Sequence, residues 1–150
     1  MQRVVVTGLG ALTPVGACAG ACFDALVNAR SGIRPVPPDI YAGSAPLVAG
    51  RVEFDPSNRW PAHQRTQLDR ATQLALIAAA QAIADAELRL TERETVRAGV
   101  YWGTGLGGAT SIEESYRQLL IGNGRVRPTT VVLGMNNAAA GQISIAHGLR

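Results

Sequence analysis

Apolar residues fall along this chain in two rhythms. Short unbroken runs bounded by glycine alternate with longer stretches where apolar residues recur every three or four positions. Arg3-Val4-Val5-Val6-Thr7-Gly8 is the first short run and predicts a strand buried on both faces. Gly8-Leu9-Gly10 and Thr13-Pro14-Val15-Gly16 signal turns. A helix is expected over residues 17–29, with Phe23, Leu26 and Val27 inward and Ser31-Gly32 as its stop. Residues 33–46 carry four prolines and predict a surface loop; residues 47–54 predict a strand interrupted at Gly50.

Residues 55–63 hold Pro56 and Pro61 and are expected to be irregular. Thr66-Gln67-Leu68-Asp69 has the form of a capping box opening the longest helix, which runs to about residue 88. Leu68, Ala71, Ala75, Ala78, Ala82 and Ala86 trace one face, and Leu74, Ile77 and Ala84 a second. A helix apolar nearly all round is buried between other elements. The pattern therefore predicts a layered α/β protein with a helical middle layer. Residues 91–94 read as a polar turn. Residues 129–133 are a β-branched run that suggests a strand. Residues 135–147 predict the last helix, with Asn136 or Asn137 near its start and Gly148 as its stop. Gly141 inside it costs about 1 kcal/mol against Ala, which suggests that another backbone comes close there.

The most informative stretch is Val100-Tyr101-Trp102-Gly103-Thr104-Gly105-Leu106-Gly107-Gly108. It predicts a strand over residues 97–102, with Val100 and Trp102 on one side and Tyr101 on the other. An open glycine turn follows, where a ligand can reach backbone. Ser111 then reads as the N-cap of a helix over residues 111–121, with Glu113 and Glu114 in its first turn. Ile112, Tyr116, Leu119 and Leu120 share one face of that helix. Gly103, Gly105 and Gly108 satisfy the dinucleotide pattern G-x-G-x-x-G. The acidic residue wanted about 20 positions later is missing from residues 122–128, and the acidic helix start disfavours a pyrophosphate.

Composition narrows the classes. A length of 150 residues suits one domain or a piece of a larger one. All fourteen basic residues are Arg, and they are scattered, so the net charge of +3 makes no nucleic-acid surface. Cys18 and Cys22 lie four apart with no histidine at ligand spacing, so no metal site is expected, and buried apolar cysteines in a reducing cytosol fit better. The longest apolar run, residues 74–84, is too short to span a bilayer, and the amino-terminal residues read as a strand, so no leader is expected. A soluble, cytoplasmic protein is expected.

Three stretches, in order and at matching separations, resemble one family. Residues 3–16 (RVVVTGLGALTPVG) resemble the opening of the condensing enzymes of fatty-acid and polyketide synthesis. Residues 103–108 (GTGLGG) resemble their central glycine loop, and residues 137–150 (NAAAGQISIAHGLR) the helix that precedes their nucleophile. The likeness is closest to the elongating 3-oxoacyl-[acyl-carrier-protein] synthases. It implies an α/β thiolase-like layered fold (αβαβα), of which this chain is the amino-terminal half, ending before the nucleophile. It also implies a homodimer, or a heterodimer with a related subunit, and no cofactor.

The implied reaction is a decarboxylative Claisen condensation between an acyl thioester and malonyl-acyl-carrier-protein. The family's cysteine and two histidines fall after Arg150, so Cys18, Cys22, His63 and His147 match no catalytic position. By position, the resemblance implies an acyl pocket involving Leu106, Gly107, Thr129, Thr130 and Met135. The threonines stand where the family often has aromatic residues that reach towards the partner subunit's pocket, and smaller side chains there leave room for a longer or bulkier chain. Docking of the acidic acyl carrier protein is implied at Arg59, Arg65 and Arg70. Core packing, an edge strand and solvated surface are the plain alternatives for these groups. At the level of the whole chain, the alternatives are a non-catalytic chain-length-factor-like subunit, a nucleotide-dependent oxidoreductase, and an interaction domain without chemistry.

Overall fold

The computed structural model describes residues 3–38, 40–41, 45–122 and 124–149. Asp39, residues 42–44 and Asn123 of the expected loops, and Arg150 of the last motif, lie outside the described residues. In chain order the elements are α1 (Ala19–Val27), β1 (Ile33–Pro35), β2 (Val48–Gly50), a 3-10 turn (Pro56–Asn58), α2 (Ala62–Arg65), α3 (Arg70–Asp85), α4 (Glu92–Thr95), α5 (Ala109–Leu120), α6 (Thr130–Gly134) and α7 (Ala138–His147). Two compact units result. The first holds the described residues up to Phe54 together with Ala80–Glu87; the second holds Asp55–Ala79 and the described residues from Leu88 onward.

In the first unit β1 pairs antiparallel with β2, Ile33 opposite Gly50 and Pro35 opposite Val48. A strand thus forms inside the expected 33–46 loop, and only three residues of the expected 47–54 strand pair with it. The Thr13–Gly16 turn forms as expected, with the Thr13 N–H on the Gly16 carbonyl at 2.9 Å. A β-carbon on Gly16 would sit 2.5 Å from the Cys22 nitrogen, so the turn lies almost on the helix backbone. That approach selects small side chains. Cys22 and Ala25 form the buried face of α1, whereas Phe23, Leu26 and Val27, expected inward, are exposed.

Gly8 works the same way against the end of α3, where any β-carbon would overlap the Ala82 carbonyl and the Ala86 nitrogen. Side chains of α3 then hold the chain that follows. Asp85 accepts the Leu9 N–H at 2.8 Å, and Gln81 accepts the Ala11 N–H at 3.1 Å while donating to the Ala17 carbonyl at 2.7 Å. The valines just before Gly8 behave differently. Among the described residues they pair with no strand, and Val4 is 96% exposed, so the expected buried strand is not formed. A strand depends on ladder partners brought from elsewhere, whereas a helix closes its hydrogen bonds within itself.

The second unit has its core where α3 meets α7: Ala75, Ala139 and Ile143 are buried, with Leu76, Ala79 and Val100 packed against them. Every residue of α3 before Ala84 is buried or half-buried, as the all-round apolar pattern predicts. The helix is started by Asp69, whose carboxylate accepts the Ala71 N–H at 2.9 Å. Thr66, expected as the cap, instead donates its hydroxyl to the His63 carbonyl at 2.8 Å. A capping box does form, at Thr91 and Glu94, where a polar turn had been expected; it opens the short helix α4.

Residues 97–102 join no ladder among the described residues, contrary to expectation, and the expected sidedness holds only in part, since Trp102 is 40% exposed. Val100 packs on the core while Tyr101 is fully exposed. The β-branched run at 129–133 is not a strand. It forms α6, closed by the Leu133 N–H on the Thr129 carbonyl at 3.0 Å, with Leu133 buried. Packing of that leucine outweighs the weak β propensity. α7 starts after Asn137 and is stopped by Gly148 at φ 65°, but Gly141 faces open space instead of a close backbone.

Candidate functional site

The glycine loop is organised by its last member. Gly108 is the N-cap of α5 at φ 71°, a left-handed conformation, and a β-carbon there would overlap the Leu133 carbonyl and the Gly134 backbone. The close approach made possible by glycine is therefore between this loop and α6. Gly103 and Gly105 face open space.

α5 begins at Ala109, so Ser111 is not its N-cap but its third residue. Its N–H and its hydroxyl both donate to Asp69 Oδ2, at 3.0 and 2.7 Å. A carboxylate thus already occupies the helix end where a pyrophosphate would sit, which counts against the dinucleotide reading. Glu113 and Glu114 lie beyond the first turn and reach Arg117 at 2.9 and 4.0 Å on the exposed face. One turn on, the Ser115 hydroxyl donates to the Ser111 carbonyl at 2.7 Å and stands 2.8 Å from the Thr130 hydroxyl of α6.

Two depressions flank this α5–α6 contact. One is a polar cleft of about 550 Å³ walled by Asp69, Arg70, Gln73, Ser111, Ser115, Arg125, Arg127 and Thr130, among others. The other is a mainly apolar groove of about 490 Å³ walled by Ile112, Ser115, Tyr116, Leu119, Val126, Thr130, Val131, Gly134 and Met135. Ile112, Tyr116 and Leu119 thus share the face expected of them, but it lines an open groove, and Leu120 is outside it.

Of the residues anticipated for an acyl pocket, Thr130 and Met135 meet in the groove. Leu106 is 72% exposed, Gly107 is buried beside Thr104, and Thr129 is the exposed N-cap of α6; none of the three lines either depression. Of the anticipated docking arginines, Arg70 lines the cleft, Arg59 is exposed after the 3-10 turn, and Arg65 ends α2 half-buried. Near Arg65, hydrogen bonds from Ser57, with a smaller contribution from the guanidinium, hold the Asp55 carboxyl below its ordinary pKa. Arg125 and Arg127 are additions to the cleft; their only sequence signal was two cations flanking Val126 just before Pro128. Cys18 is exposed, while Cys22 is buried with its sulfur 3.0 Å from the Thr13 hydroxyl. Among the described residues no helix is long and apolar enough to cross a membrane.

The N-terminal domain of beta-ketoacyl synthases matches residues 1–150. Nodulation protein E of Rhizobium meliloti is 35% identical over 149 residues, covering 99% of this chain and 37% of that protein. 3-Oxoacyl-[acyl-carrier-protein] synthase 2 of Staphylococcus aureus (strain COL) is 32% identical over 151 residues, covering 99% of this chain and 36% of that protein. The chain thus spans little more than a third of the length of these relatives. A beta-ketoacyl synthase from Burkholderia phymatum STM815 superposes with a TM-score of 0.79 at 28% identity, over 99% of this chain and 38% of that one. A type II polyketide ketosynthase, solved in complex with its acyl-carrier protein and bound to the hexaketide, gives 0.76 at 22% identity, over 99% and 40%. The fold is therefore thiolase-like, that of the ketosynthases, and the chain belongs to the beta-ketoacyl synthase family, whose N-terminal domain it matches from end to end.

Proposed function

We propose that the protein carrying this domain is a 3-oxoacyl-[acyl-carrier-protein] synthase. It condenses an acyl thioester with malonyl-acyl-carrier-protein by decarboxylative Claisen chemistry, in fatty-acid or polyketide chain elongation. The observation that carries this reading is the family match along all 150 residues, with a synthase of that name among the relatives. In this reading the groove between α5 and α6 is part of the acyl pocket, with Thr130 and Met135 in its wall and Leu106, Gly107 and Thr129 close by in sequence. The carrier protein is acidic, and Arg59, Arg65 and Arg70 receive it. The guanidiniums of Arg125 and Arg127, which share the polar cleft with Arg70, support that polarity. The protein acts as a dimer in the cytoplasm. The nucleophilic cysteine is supplied from outside these 150 residues.

The test is the mass of the intact protein before and after incubation with an acyl-carrier-protein thioester. Gain of one acyl group supports the synthase. No gain from a protein that still binds the carrier favours a chain-length-factor-like subunit, with the same fold and no working cysteine. No gain and no carrier binding overturn both readings.

A further inference from the structure

The hydroxyl pair on the wall of the groove has a fixed direction. Ser115 has one hydroxyl proton, and it is spent on the Ser111 carbonyl at 2.7 Å, because a carbonyl only accepts. The 2.8 Å contact between Ser115 and Thr130 must then use the Thr130 proton. Thr130 is thereby left as an acceptor. The chain of bonds is anchored at its far end, since Ser111 is itself held by the buried carboxylate of Asp69 at 2.7 and 3.0 Å. The Thr130 oxygen therefore has little freedom to turn and offer its proton elsewhere. Thr130 and Ser115 stand between the groove, whose wall includes Ile112, Leu119, Val131 and Met135, and the polar cleft, which both residues also line.

We propose that Thr130 is a specificity-determining residue that favours acyl chains bearing a hydrogen-bond donor, such as a hydroxyl, over saturated chains of the same length, with Ser115 as its positioning residue. The inference rests on reading the groove as an acyl pocket. A saturated chain covering the Thr130 oxygen would strip it of water and return nothing, whereas a chain hydroxyl would satisfy it. The same geometry disfavours a chain carbonyl at that depth, where two acceptors would face each other.

The intact protein is titrated with acyl-pantetheine amides of one carbon number: a saturated chain, and series with a hydroxyl or a ketone at successive carbons. One hydroxylated isomer is expected to bind about 2- to 10-fold tighter than the saturated chain, the range of a single neutral hydrogen bond. Thr130→Val should abolish that preference without weakening the saturated chain. Thr130→Ser, which keeps the hydroxyl, should retain it. Ser115→Ala frees the Thr130 proton, so its preference should swing towards the ketone series, which a merely structural serine would not produce. Equal binding of saturated and hydroxylated chains by the native protein, or a preference that survives Thr130→Val, overturns the inference and leaves the pocket standing. Failure of every amide to bind sinks the acyl-pocket reading itself.

Discussion

Asp69 Oδ2 accepts two hydrogen bonds from Ser111, one from its N–H and one from its hydroxyl, across 42 residues of chain. Through its other oxygen the same carboxylate caps α3 at the Ala71 N–H, 2.9 Å away. One side chain, 3% exposed, therefore closes the starts of two helices. Removing it leaves half-buried donors without a partner. Asp69→Ala should destabilise the protein by about 2–4 kcal/mol, as expected for lost bonds to a buried charged group. The urea midpoint measures this, and a change below about 0.5 kcal/mol, the size of an ordinary surface substitution, would show that the bridge is dispensable.

This bridge also shows where sequence reading stops. The Thr66–Asp69 spacing points to the neighbourhood of the α3 start but names the wrong cap, so the helix begins at Arg70, three residues later than that spacing implies. Asp69 can cap locally and also reach Ser111, and nothing local reports that second partner. Elements with internal bonding were legible: α3 with its all-round burial, the Thr13–Gly16 turn, and α7 with its Gly148 stop. The stretches at 3–8 and 97–102 carry strand patterns, but pairing is a non-local property, and among the described residues they have no ladder. The site divides in the same way. Thr130 and Met135, anticipated from family position, both line the groove, whereas the Ser115–Thr130 bond and the place of Arg125 and Arg127 in the cleft required the fold.

The glycines of the loop should separate cleanly by substitution. Gly108→Ala forces a β-carbon into the Leu133–Gly134 backbone at a φ of 71° and should cost several kcal/mol, on the order of other strained, overpacked sites. Gly105→Ala meets nothing within 4 Å and should change stability by no more than about 0.5 kcal/mol. Thermal melting of the two variants side by side checks the contrast. Equal losses would mean that the loop's constraint lies outside Gly108.

Helix α4 gives a pH prediction with a definite sign. The Thr91 N–H, and secondly the Thr91 hydroxyl, hold the Glu94 carboxyl below its ordinary pKa. A carboxylate with a depressed folded-state pKa adds stability above its unfolded pKa. That stability is lost as pH falls through the folded value. Thr91→Ala removes the weaker of the two causes, so the Glu94 pKa should rise but stay below the ordinary glutamate value. NMR titration of the Glu94 carboxyl in both proteins reads this directly. An unchanged pKa would mean that the hydroxyl bond is absent in solution.

Thr130→Phe distinguishes a pocket residue from plain packing. The groove of about 490 Å³ has the small side chain of Thr130 from α6 in its wall, together with Tyr116 and Ile112 of α5. A phenyl ring there fills space that a chain end would otherwise use, and each displaced methylene forfeits about 0.8 kcal/mol of burial. If the groove receives acyl chains, the ratio of kcat/KM for long against short acyl-carrier substrates should fall about tenfold or more, equivalent to roughly two methylenes. Activity on the shortest substrates should stay near the native level. The ring also displaces the Thr130 hydroxyl from Ser115, so some loss of stability is expected in either case. The ratio decides the matter because overpacking alone would lower stability without sorting substrates by length. A destabilised variant with an unchanged ratio would make the groove a packing surface and move the acyl pocket elsewhere in the protein.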